Sequence, residues 1–553
     1  MAQRVAVVGG GLSGLTFAWA LQRVVPKTVA ITLVEASSRT GGWLFSHRSD
    51  DGFLFEKGCR GLRGGKPVGD GAVVISTMHE LGMHEDSEFG QAVGNHGLAR
   101  QRFIKHGGSL HAMPVSPAGL LSWPPLPSPL RMAFSEPFRP APVDNEDETV
   151  RDFISRRLGE EAADNLVDAM AAGVWAGRIN ELSAAAVFPD LVALEAEGGS
   201  LTGGFAKRAL ARFGVGSSSA RWQPPLTPWF QQGKEFAVAE AEASFRASPE
   251  LQSSPLVGAT SVSTTMGTEG FVRRLRAELE RCENVTLLDN SAVVRVTPPD
   301  AKTSAARLSL AATPAAAASG NPLSDFGSEW RPDGREIVAD LVVSAQPSPA
   351  LASALEASGG WAGSEVVSLL RSIPRSSVGV VCTGWKTPAI REVAGRRGFG
   401  FLSPTREDAS VLGTVWDSCV FPHQAVEGRY LSEDRASVMM GGRRNPDVAS
   451  WSPQQLRDEA MRSLEADTGV PSSVAPDEVN TWVAAEAIPQ YTVGHLDRMA
   501  ALQQGLSQTA PWMRILGNSY YGVGAAACLV NARGAAKQVA DQLLVDEAAA
   551  ARS

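Results

Sequence analysis

A glycine turn close to the N-terminus constrains the fold of this chain more than any other feature. An apolar run at residues 4–8 leads directly into the sequence GGGLSG at residues 9–14, and a helical pattern follows. Strand, G-x-G-x-x-G turn and helix together form a dinucleotide-binding unit. We expect Gly9 to permit the tight turn, Gly11 to let the backbone approach a pyrophosphate, and Gly14 to let helix and strand pack closely.

An acid at the end of the second predicted strand narrows the class of dinucleotide. A second apolar run, residues 29–35, ends in Glu35, which lies 21 residues beyond Gly14. A carboxylate at this distance accepts hydrogen bonds from a ribose 2′-hydroxyl and disfavours a 2′-phosphate, which argues against NADP. The sequence RTGGW at residues 39–43 resembles the FAD-binding branch of flavoprotein oxidases. We therefore predict FAD, with Arg39 near its phosphates.

The composition argues against several other classes of protein. The formal net charge of −8 is the opposite of the basic surplus that nucleic-acid binders show. The five cysteines lie far apart without a C-x-x-C pair, so we predict reduced thiols and neither a disulfide framework nor a zinc site. The eight histidines are scattered, and His79 and His84 are predicted to be solvated surface side chains. The sequence assigns no metal.

Three separated parts of the chain carry the strand patterns of one nucleotide-binding domain. They are the N-terminal unit, the strand-rich residues 284–296 and 337–345, and residues 512–533, which again predict strand, glycine turn and helix. The first strand begins too early to leave room for a removable targeting segment. Since no run of 18 or more apolar residues occurs, we expect any membrane contact to be peripheral.

The stretches between these parts differ in composition. Residues 113–142 form a proline-rich run with interspersed apolar side chains, and residues 149–173 predict a pair of helices. Residues 214–265 are rich in Ser, Gln and Pro, and residues 301–333 contain an Ala-, Ser-, Pro- and Gly-rich stretch. We predict that these last two segments are surface insertions, partly disordered, without chemistry of their own.

One arginine is a candidate ligand for the substrate. In FEKGCRG, residues 55–61, the small residues at 58 and 61 let the chain run beside a flavin, which places Arg60 near the ring edge. Arginine stays charged and presents a planar fork that suits a carboxylate. The alternative for Arg60 is an ordinary structural ion pair.

A longer series of motifs makes a family resemblance specific. In chain order the motifs are GGGLSGL at 9–15, GGW at 41–43, GCRG at 58–61, DETVRDFISRRLG at 147–159, GVWAG at 173–177, GFGFLSP at 398–404, VLGTVWDS at 411–418, VMMGG at 438–442, IPQYTVGH at 488–495 and GNSYYGVGAAAC at 517–528. In order and spacing the chain resembles the oxygen-dependent protoporphyrinogen oxidase family, particularly its mitochondrial animal and fungal type. The likeness covers most of the chain apart from the two insertions.

The resemblance implies a fold of class α/β and α+β. It has a Rossmann-like FAD-binding domain assembled from discontinuous segments, a mixed-sheet substrate domain and a helical membrane-binding domain. The implied boundaries are 1–90, 266–350 and 481–553 for the FAD-binding domain, 91–112 and 351–480 for the substrate domain, 113–205 for the membrane-binding domain, and 206–265 for a substrate-domain insertion.

The resemblance also implies an activity, the conversion of protoporphyrinogen IX to protoporphyrin IX with three O2 consumed and three H2O2 released. One non-covalent FAD per chain would take the hydride. Arg60 would pair with a substrate propionate, Leu402 and Met439 would bracket the macrocycle, and Phe399 and Gly173 would line the cavity. A large apolar slot with a cation at its end suits such a tetrapyrrole, and hydride removal needs positioning more than acid–base groups.

The implied cofactor-binding residues are Gly9, Gly10, Gly11, Leu12, Ser13, Gly14, Glu35, Arg39, Gly42, Trp43, Gly58, Cys59, Arg60, Gly61, Val293, Gly522, Val523, Ala525, Ala526 and Ala527. Two positions depart from the pattern of the animal members. Residues 525–527 are alanines in place of polar residues, which removes side-chain contacts with the flavin, and Cys59 stands in place of the usual proline.

The implied partners are the porphyrinogen, O2 and a membrane surface, and nucleic acid is not among them. The implied location is monotopic on the mitochondrial inner membrane, with a plastid membrane as the alternative. A homodimer and product hand-off to ferrochelatase are left open. Rival interpretations are a flavin amine oxidase or other FAD-dependent oxidase, a carotenoid desaturase, and a nucleotide-binding interaction module without turnover. Four tyrosines in all argue against the aromatic cage of amine oxidases, and the neutral substrate of a desaturase gives Arg60 no partner.

Overall fold

The computed structural model describes residues 3–95, 97–126, 128–140, 147–212, 228–300, 304–312 and 331–550. Its strands are β1 (Arg4–Val8), β2 (Ala30–Val34), β3 (Ser46–Arg48), β4 (Leu54–Glu56), β5 (Ala92–Gly94), β6 (Arg102–His106), β7 (Ser109–Ala112), β8 (Val262–Thr264), β9 (Val285–Leu288), β10 (Ser291–Thr297), β11 (Ala306–Ala312), β12 (Glu336–Ala339), β13 (Leu341–Ser344), β14 (Arg375–Trp385), β15 (Gly400–Leu402), β16 (Val411–Val415), β17 (Asp434–Gly441), β18 (Glu478–Pro489) and β19 (Met513–Ile515). The α-helices are α1 (Leu12–Gln22), α2 (Asp70–Glu80), α3 (Pro117–Leu121), α4 (Pro129–Ser135), α5 (Val150–Leu158), α6 (Glu160–Ala162), α7 (Asp168–Trp175), α8 (Ala184–Val187), α9 (Pro189–Gly198), α10 (Leu201–Arg212), α11 (Pro228–Ala247), α12 (Pro249–Gln252), α13 (Thr268–Glu280), α14 (Ser348–Glu356), α15 (Ser364–Arg371), α16 (Asp417–Val420), α17 (Pro453–Ser463), α18 (His495–Thr509) and α19 (Ala525–Ala550).

The glycine turn follows the central strand of a five-stranded parallel sheet. The strand order is β19-β13-β1-β2-β9, and each strand runs parallel to its neighbours. Val5 and Val7 of β1 belong to the apolar cluster formed with α1, α13 and α19, whereas Ala6 and Val8 belong to the cluster formed with β10, β11, α14 and α15. Parallel strands covered on both faces need continuous apolar runs, which is the pattern at residues 4–8. The predicted α/β class is confirmed.

Part of the predicted insertion at 301–333 belongs to the core. There β11 is the middle strand of the antiparallel sheet β10-β11-β12, and its Leu308 and Leu310 are buried. The prediction of a surface segment is wrong for β11, because alternating leucines in an Ala- and Ser-rich stretch already carry the period of a strand. Residues 301–303 and 313–330 of this stretch lie outside the described residues.

Helix α11 occupies much of the other stretch that was predicted to be a surface insertion, residues 214–265. It packs on α19 and α2 and buries Ala237, Ala241 and Phe245, which are spaced by four residues. Gly233 and Gly534 let α11 and α19 approach closely, since a Cβ added to Gly534 would lie 2.3 Å from the Gly233 carbonyl carbon. Thus α11 belongs to the helical layer of the parallel sheet and not to a disordered surface insertion. Residues 214–227 lie outside the described residues.

A seven-stranded mixed sheet forms the second large unit. Its strand order is β18-β14-β17-β16-β15-β6-β7, in which β15 and β6 are parallel and the other neighbours antiparallel. The predicted domain boundary after residue 480 falls inside β18. Helices α14 and α15, which the sequence places in the substrate domain, pack in the apolar cluster that covers the parallel sheet.

Helices α3–α10 share an apolar cluster of their own. Trp123 and Phe153 are among its buried side chains. The fully buried guanidinium of Arg157 forms ion pairs with Glu195 and Glu136, which ties the helices together. No helix among the described residues combines the length and the apolar composition needed to cross a membrane.

Candidate active site

Two glycines at helix N-termini lie in open space. Gly11 is the N-cap of α1, where no side chain caps the helix, and Gly524 directly precedes α19. A Cβ added to Gly11 would meet nothing closer than Gly42 Cα at 3.8 Å, and one added to Gly524 would meet no atom within 4 Å. By contrast, a Cβ added to Gly10, Gly14 or Gly58 would lie within 3.0 Å of another atom. The packing of the protein does not require glycine at these two positions, whereas a ligand phosphate close to the backbone would.

Other glycines of the same motifs are required by the packing of the protein. A Cβ added to Gly14 would lie 1.9 Å from the carbonyl oxygen of Gly9, and one added to Gly58 would lie 1.8 Å from that of Trp43. Gly9 and Gly42 have φ values of +104° and +57°, which side chains disfavour. The GGW and GCRG motifs therefore meet through the backbone contact between Trp43 and Gly58.

The carboxylate of Glu35 joins the second strand to the glycine turn. One oxygen accepts a hydrogen bond from the Gly10 N–H at 2.7 Å, and the other accepts from the Ser37 N–H at 2.8 Å and hydroxyl at 2.7 Å. Burial raises the pKa of Glu35 above its usual value. The acid thus lies beside the turn, where a ribose is expected, and it also fixes the shape of the turn.

Arg39 fixes the loop that follows. Its guanidinium donates hydrogen bonds to the carbonyls of Gly42 at 2.6 Å and Thr40 at 3.3 Å, and it lies 4.0 Å from the centre of the Phe45 ring. These donors act within the loop, so the phosphate contact of Arg39 stays a prediction.

Of the remaining candidates, Leu12, Ser13 and Val293 are buried and Cys59 is partly buried. Leu12 and Val293 belong to the apolar clusters on opposite faces of the parallel sheet. The Cys59 thiol donates to a backbone carbonyl at 2.9 Å, and burial raises its pKa to about 11. Cys59 is therefore a neutral thiol at physiological pH and a poor nucleophile.

The loop before α19 is held by a tyrosine that the sequence analysis missed. The Tyr491 hydroxyl donates to the carbonyl of Asn518 and accepts from the N–H of Gly522, both at 2.7 Å. Its ring stacks on His495 with centroids 3.9 Å apart. Burial lowers the pKa of His495 to about 4, so the ring is neutral at neutral pH. Both residues lie in the IPQYTVGH motif, which carried the signal, and they fix the loop that holds the C-terminal cofactor candidates.

The mixed sheet brings three predicted substrate residues together. Leu402 on β15 lies opposite Gly413 on β16, which lies opposite Met439 on β17. Residues directly opposite each other on antiparallel strands share one face of the sheet. Gly173 of α7 rests on this face, because a Cβ added there would lie 2.6 Å from Leu402 Cδ2. Leu402 also packs on the same helical cluster as Val523 of the loop before α19.

Phe399 extends this apolar surface. Phe399 and Met439 both pack on the small cluster formed by β16 and α16. The exposed Arg102, which the sequence analysis missed, holds its guanidinium 4.9 Å from the centre of the Phe399 ring. No motif marks Arg102, because its place at the site comes from the parallel pairing of β6 with β15.

Arg60 is buried and keeps unused donors. Its Nη1 donates to the Gly58 carbonyl at 2.9 Å, and its Nε lies 3.8 Å from Asp417 Oδ1, with the side chain 11% exposed. Among the described residues, Nε and Nη2 have no hydrogen-bond partner. Asp417 thus supplies a partner for the structural ion pair that was the alternative role of Arg60. The remaining donors suit an anionic ligand, because unsatisfied buried donors cost free energy.

A buried carboxyl group, Glu56, lies near Arg60. It accepts hydrogen bonds from the Thr268 N–H at 2.7 Å, the Thr268 hydroxyl at 2.9 Å and the Ser46 hydroxyl at 2.9 Å. Burial raises the pKa of Glu56 to about 7, against the opposing effect of these hydrogen bonds and of the Arg60 charge. Glu56 therefore titrates near neutral pH.

Comparison with known proteins assigns the chain to a family. Residues 12–540 match the family described as flavin containing amine oxidoreductase. The chain is 31% identical to protoporphyrinogen oxidase of Bos taurus and 30% identical to that of Homo sapiens, with 98% of this chain and 98% of each relative covered. The chain belongs to the protoporphyrinogen oxidase family. The relative from Schizosaccharomyces pombe is 27% identical, with 97% of this chain and 98% of the relative covered. As a member of this family, the protein is an FAD-dependent oxidase.

Solved structures share the fold. A structure from Exiguobacterium has a TM-score of 0.69 at 19% identity, covering 98% of this chain and 99% of that chain. Cyclohexylamine oxidase from Brevibacterium oxydans has a TM-score of 0.59 at 14% identity, covering 98% of this chain and 100% of that chain.

The residues of the site fit FAD. Gly11 and Gly524 leave open space at the N-termini of two helices that pack on each other. The first-turn N–H groups of α1 have no side-chain cap and suit a pyrophosphate, while Glu35 suits a ribose hydroxyl. The turn therefore fits the family cofactor.

Proposed function

We propose that the protein oxidises protoporphyrinogen IX to protoporphyrin IX in haem biosynthesis, with release of three H2O2. The reaction balances because the substrate gives up six hydrogen atoms and each of three O2 molecules takes up two. Identity of 30–31% to the bovine and human enzymes over almost the whole chain supports this activity. The observation that carries the substrate class is Arg60, a buried guanidinium with open donors, in a protein with an apolar surface lined by Leu402 and Met439.

The chain's own residues bind and orient the substrate in this proposal. Bound FAD supplies the hydride acceptor. Leu402, Met439 and Phe399 present apolar surface to the pyrrole rings, and Gly173 lets α7 pack closely against Leu402. Arg60 pairs with a propionate through its open Nε and Nη2 donors. Holding the methylene bridge in place is the main contribution of these residues to the rate.

A second guanidinium suits the second propionate. Arg102 lies at the Phe399 edge of the apolar surface, and its contact with the ring holds the guanidinium in place. The guanidinium of Arg102 stays charged at neutral pH, as arginines do in proteins. We therefore include Arg102 with Arg60 as a carboxylate ligand.

Fluorescence tests the proposed activity directly, because protoporphyrin fluoresces and protoporphyrinogen does not. We expect purified protein to accelerate the rise in fluorescence over spontaneous oxidation and to release three H2O2 per porphyrin formed. Oxidation of amines without porphyrin formation would overturn the substrate assignment and favour the amine oxidase.

We propose that FAD is bound non-covalently, one per chain. The chromophore released on denaturation should be yellow and have the mass of FAD. FMN, or a flavin that stays attached to the unfolded chain, would contradict this proposal.

A flavin amine oxidase is the second candidate, because cyclohexylamine oxidase shares the fold. Such enzymes present an aromatic cage to the amine. Tyr491 and Tyr520 are only 3% and 1% exposed, and Tyr491 uses its hydroxyl and its ring within the protein. These buried tyrosines do not offer the open aromatic pair that an amine substrate needs.

We propose that the helical unit of α3–α10 attaches the protein to one face of a membrane. Val115, Phe134 and Phe138 are 92, 75 and 88% exposed, which is unusual for large apolar side chains in one segment. Trp123, in the same proline-rich run, is only 6% exposed and packs in the helical core. Prolines interrupt residues 113–142, so the segment suits an interfacial rather than a spanning position.

Fractionation tests the attachment. The triple replacement of Val115, Phe134 and Phe138 by Ser should move the protein from the membrane fraction to the soluble fraction without loss of FAD. Leu431→Ser is the matched control, because Leu431 is 65% exposed but lies outside the helical unit. A wild-type protein that is fully soluble without detergent would refute the attachment.

We propose the mitochondrial inner membrane as the location, with a plastid membrane as the alternative. Homodimer formation and hand-off of the product to ferrochelatase stay predictions, and co-purification of each partner tests them.

A further inference from the structure

Two histidines and a glutamate converge at the end of α2. His79 lies in the last turn of α2, His84 follows in the next turn of chain, and Glu250 lies in α12. The two imidazole rings are stacked, with centroids 4.5 Å apart and an interplanar angle of 15°. One potential ligand atom from each of the three residues lies within 4.8 Å of the others.

We propose that His79, His84 and Glu250 form a site for a divalent transition metal ion, with Zn2+ as the best fit. Two imidazoles and one carboxylate form a donor set that Zn2+ uses, with water as the fourth ligand. Tetrahedral bonds of about 2.0–2.1 Å place neighbouring ligand atoms roughly 3.3–3.4 Å apart. The Oε1 atom of Glu250 lies 3.1 Å from Nε2 of His79 and 3.8 Å from Nε2 of His84, on either side of this separation.

A buried ring nitrogen without a hydrogen-bond partner supports the binding of a metal ion at this cluster. His79 Nε2 is buried and has no hydrogen-bond partner within the described part of the chain, although Glu250 Oε1 is 3.1 Å away. The carboxylate oxygen is thus close to the ring nitrogen without making a hydrogen bond to it. A metal ion between the two atoms would satisfy both, and Glu85, 4.0 Å from His84 Nε2, adds negative charge.

The cluster is accessible and lies outside the substrate surface. The side chains of His79, His84 and Glu250 are 25, 39 and 66% exposed, so an ion can enter from solvent and keep a water ligand. A bound ion would tie α12 to the end of α2, and both helices contact α11. We therefore expect the ion to stabilise this part of the cofactor-binding unit and to leave the oxidation of substrate unchanged.

His79 and His84, which the sequence predicts to be solvated surface side chains, stack on each other in the structure. His79 and His84 do meet, and the third group is Glu250, 166 residues beyond His84. No spacing motif could reveal such a site, because folding of α12 against α2 brings the carboxylate to the histidines.

Calorimetric titration of untagged, EDTA-treated, FAD-loaded protein with ZnCl2 tests the site. We expect uptake of one Zn2+ per chain and a rise in unfolding temperature. His79→Gln and His84→Gln should each weaken the affinity by about 10-fold or more, since each removes one of three protein ligands. His111→Gln is the matched control, because His111 and His106 form another ring pair, with centroids 6.0 Å apart.

FAD content and metal-free unfolding temperature serve as controls for the fold of each variant. Each variant should retain the FAD content and the metal-free unfolding temperature of the wild type. The proposal is overturned if the wild type takes up no stoichiometric Zn2+. It is also overturned if both histidine variants keep wild-type affinity, which would place the ion on other ligands such as the cysteines.

Discussion

Replacing Gly11 with Ala should weaken FAD binding while leaving the stability of the fold almost unchanged. The added Cβ would meet no described atom closer than Gly42 Cα at 3.8 Å, and Gly11 has an ordinary φ of −70°. The cost to the fold should therefore stay within about 1 kcal/mol, the usual scale of N-cap changes. The same methyl group occupies the space that a pyrophosphate needs. Loss of one hydrogen bond to a charged phosphate, about 1.5–3 kcal/mol, weakens FAD binding roughly 10- to 100-fold.

Gly14→Ala is the comparison for this experiment. Its Cβ would lie 1.9 Å from the Gly9 carbonyl oxygen, so this variant should lose both stability and FAD. Gly524→Ala should behave like Gly11→Ala, because its Cβ also enters open space. Quenching of flavin fluorescence measures the affinity of each apoprotein for FAD, and thermal unfolding measures its stability. A Gly11→Ala apoprotein with wild-type affinity for FAD would refute the assignment of this turn to the cofactor.

The other predictions concern the substrate and the pH dependence of stability. Arg60→Ala should keep the FAD spectrum but raise KM for protoporphyrinogen about 10- to 100-fold, as expected for one charge-assisted hydrogen bond, and Arg60→Lys should recover part of this loss. Arg102→Ala should raise KM by a smaller factor, because Arg102 is exposed; steady-state fluorescence assays measure both values, and an unchanged KM in both variants contradicts the carboxylate assignment. Met439→Ala should also lower kcat by misplacing the macrocycle, and a wild-type kcat would speak against that role. Burial raises the pKa of Glu56 to about 7, so the folded state binds this proton more tightly than the unfolded state. The free energy of unfolding should therefore fall as pH rises from about 4.5 through about 7, on the order of 3 kcal/mol from this group, and Glu56→Gln should flatten that slope in thermal scans.

The local parts of the fold and site could be predicted from the sequence. Strand, glycine turn, helix and Glu35 follow one another within the first 35 residues, and their roles depend on neighbours in sequence. Leu402 and Met439 lie in motifs that the resemblance identified, and β15, β16 and β17 bring them to one face. Their roles toward a substrate stay predictions that the KM and kcat measurements test.

The parts that sequence reasoning missed depend on long-range packing. Arg102 reaches Phe399 only because β6 pairs with β15, although almost 300 residues separate the two strands. The buried face of α11 consists largely of alanines within a polar stretch, which weakens the apolar periodicity that marks a helix. Trp123 lies in a proline-rich run, and composition there does not reveal which apolar side chains turn inward.

The strand order of the parallel sheet also sets the order in which the protein matures during synthesis. The central strand β1 leaves the ribosome first, but β13 begins only at Leu341 and β19 only at Met513. At about 5–20 residues per second, roughly 25–100 seconds separate the first strand from the last. Until β13 has been made, one edge of β1 is unpaired and open to association with other chains. Gly524, the second open glycine of the proposed cofactor site, is also made late, so we expect FAD to bind only when the chain is almost complete.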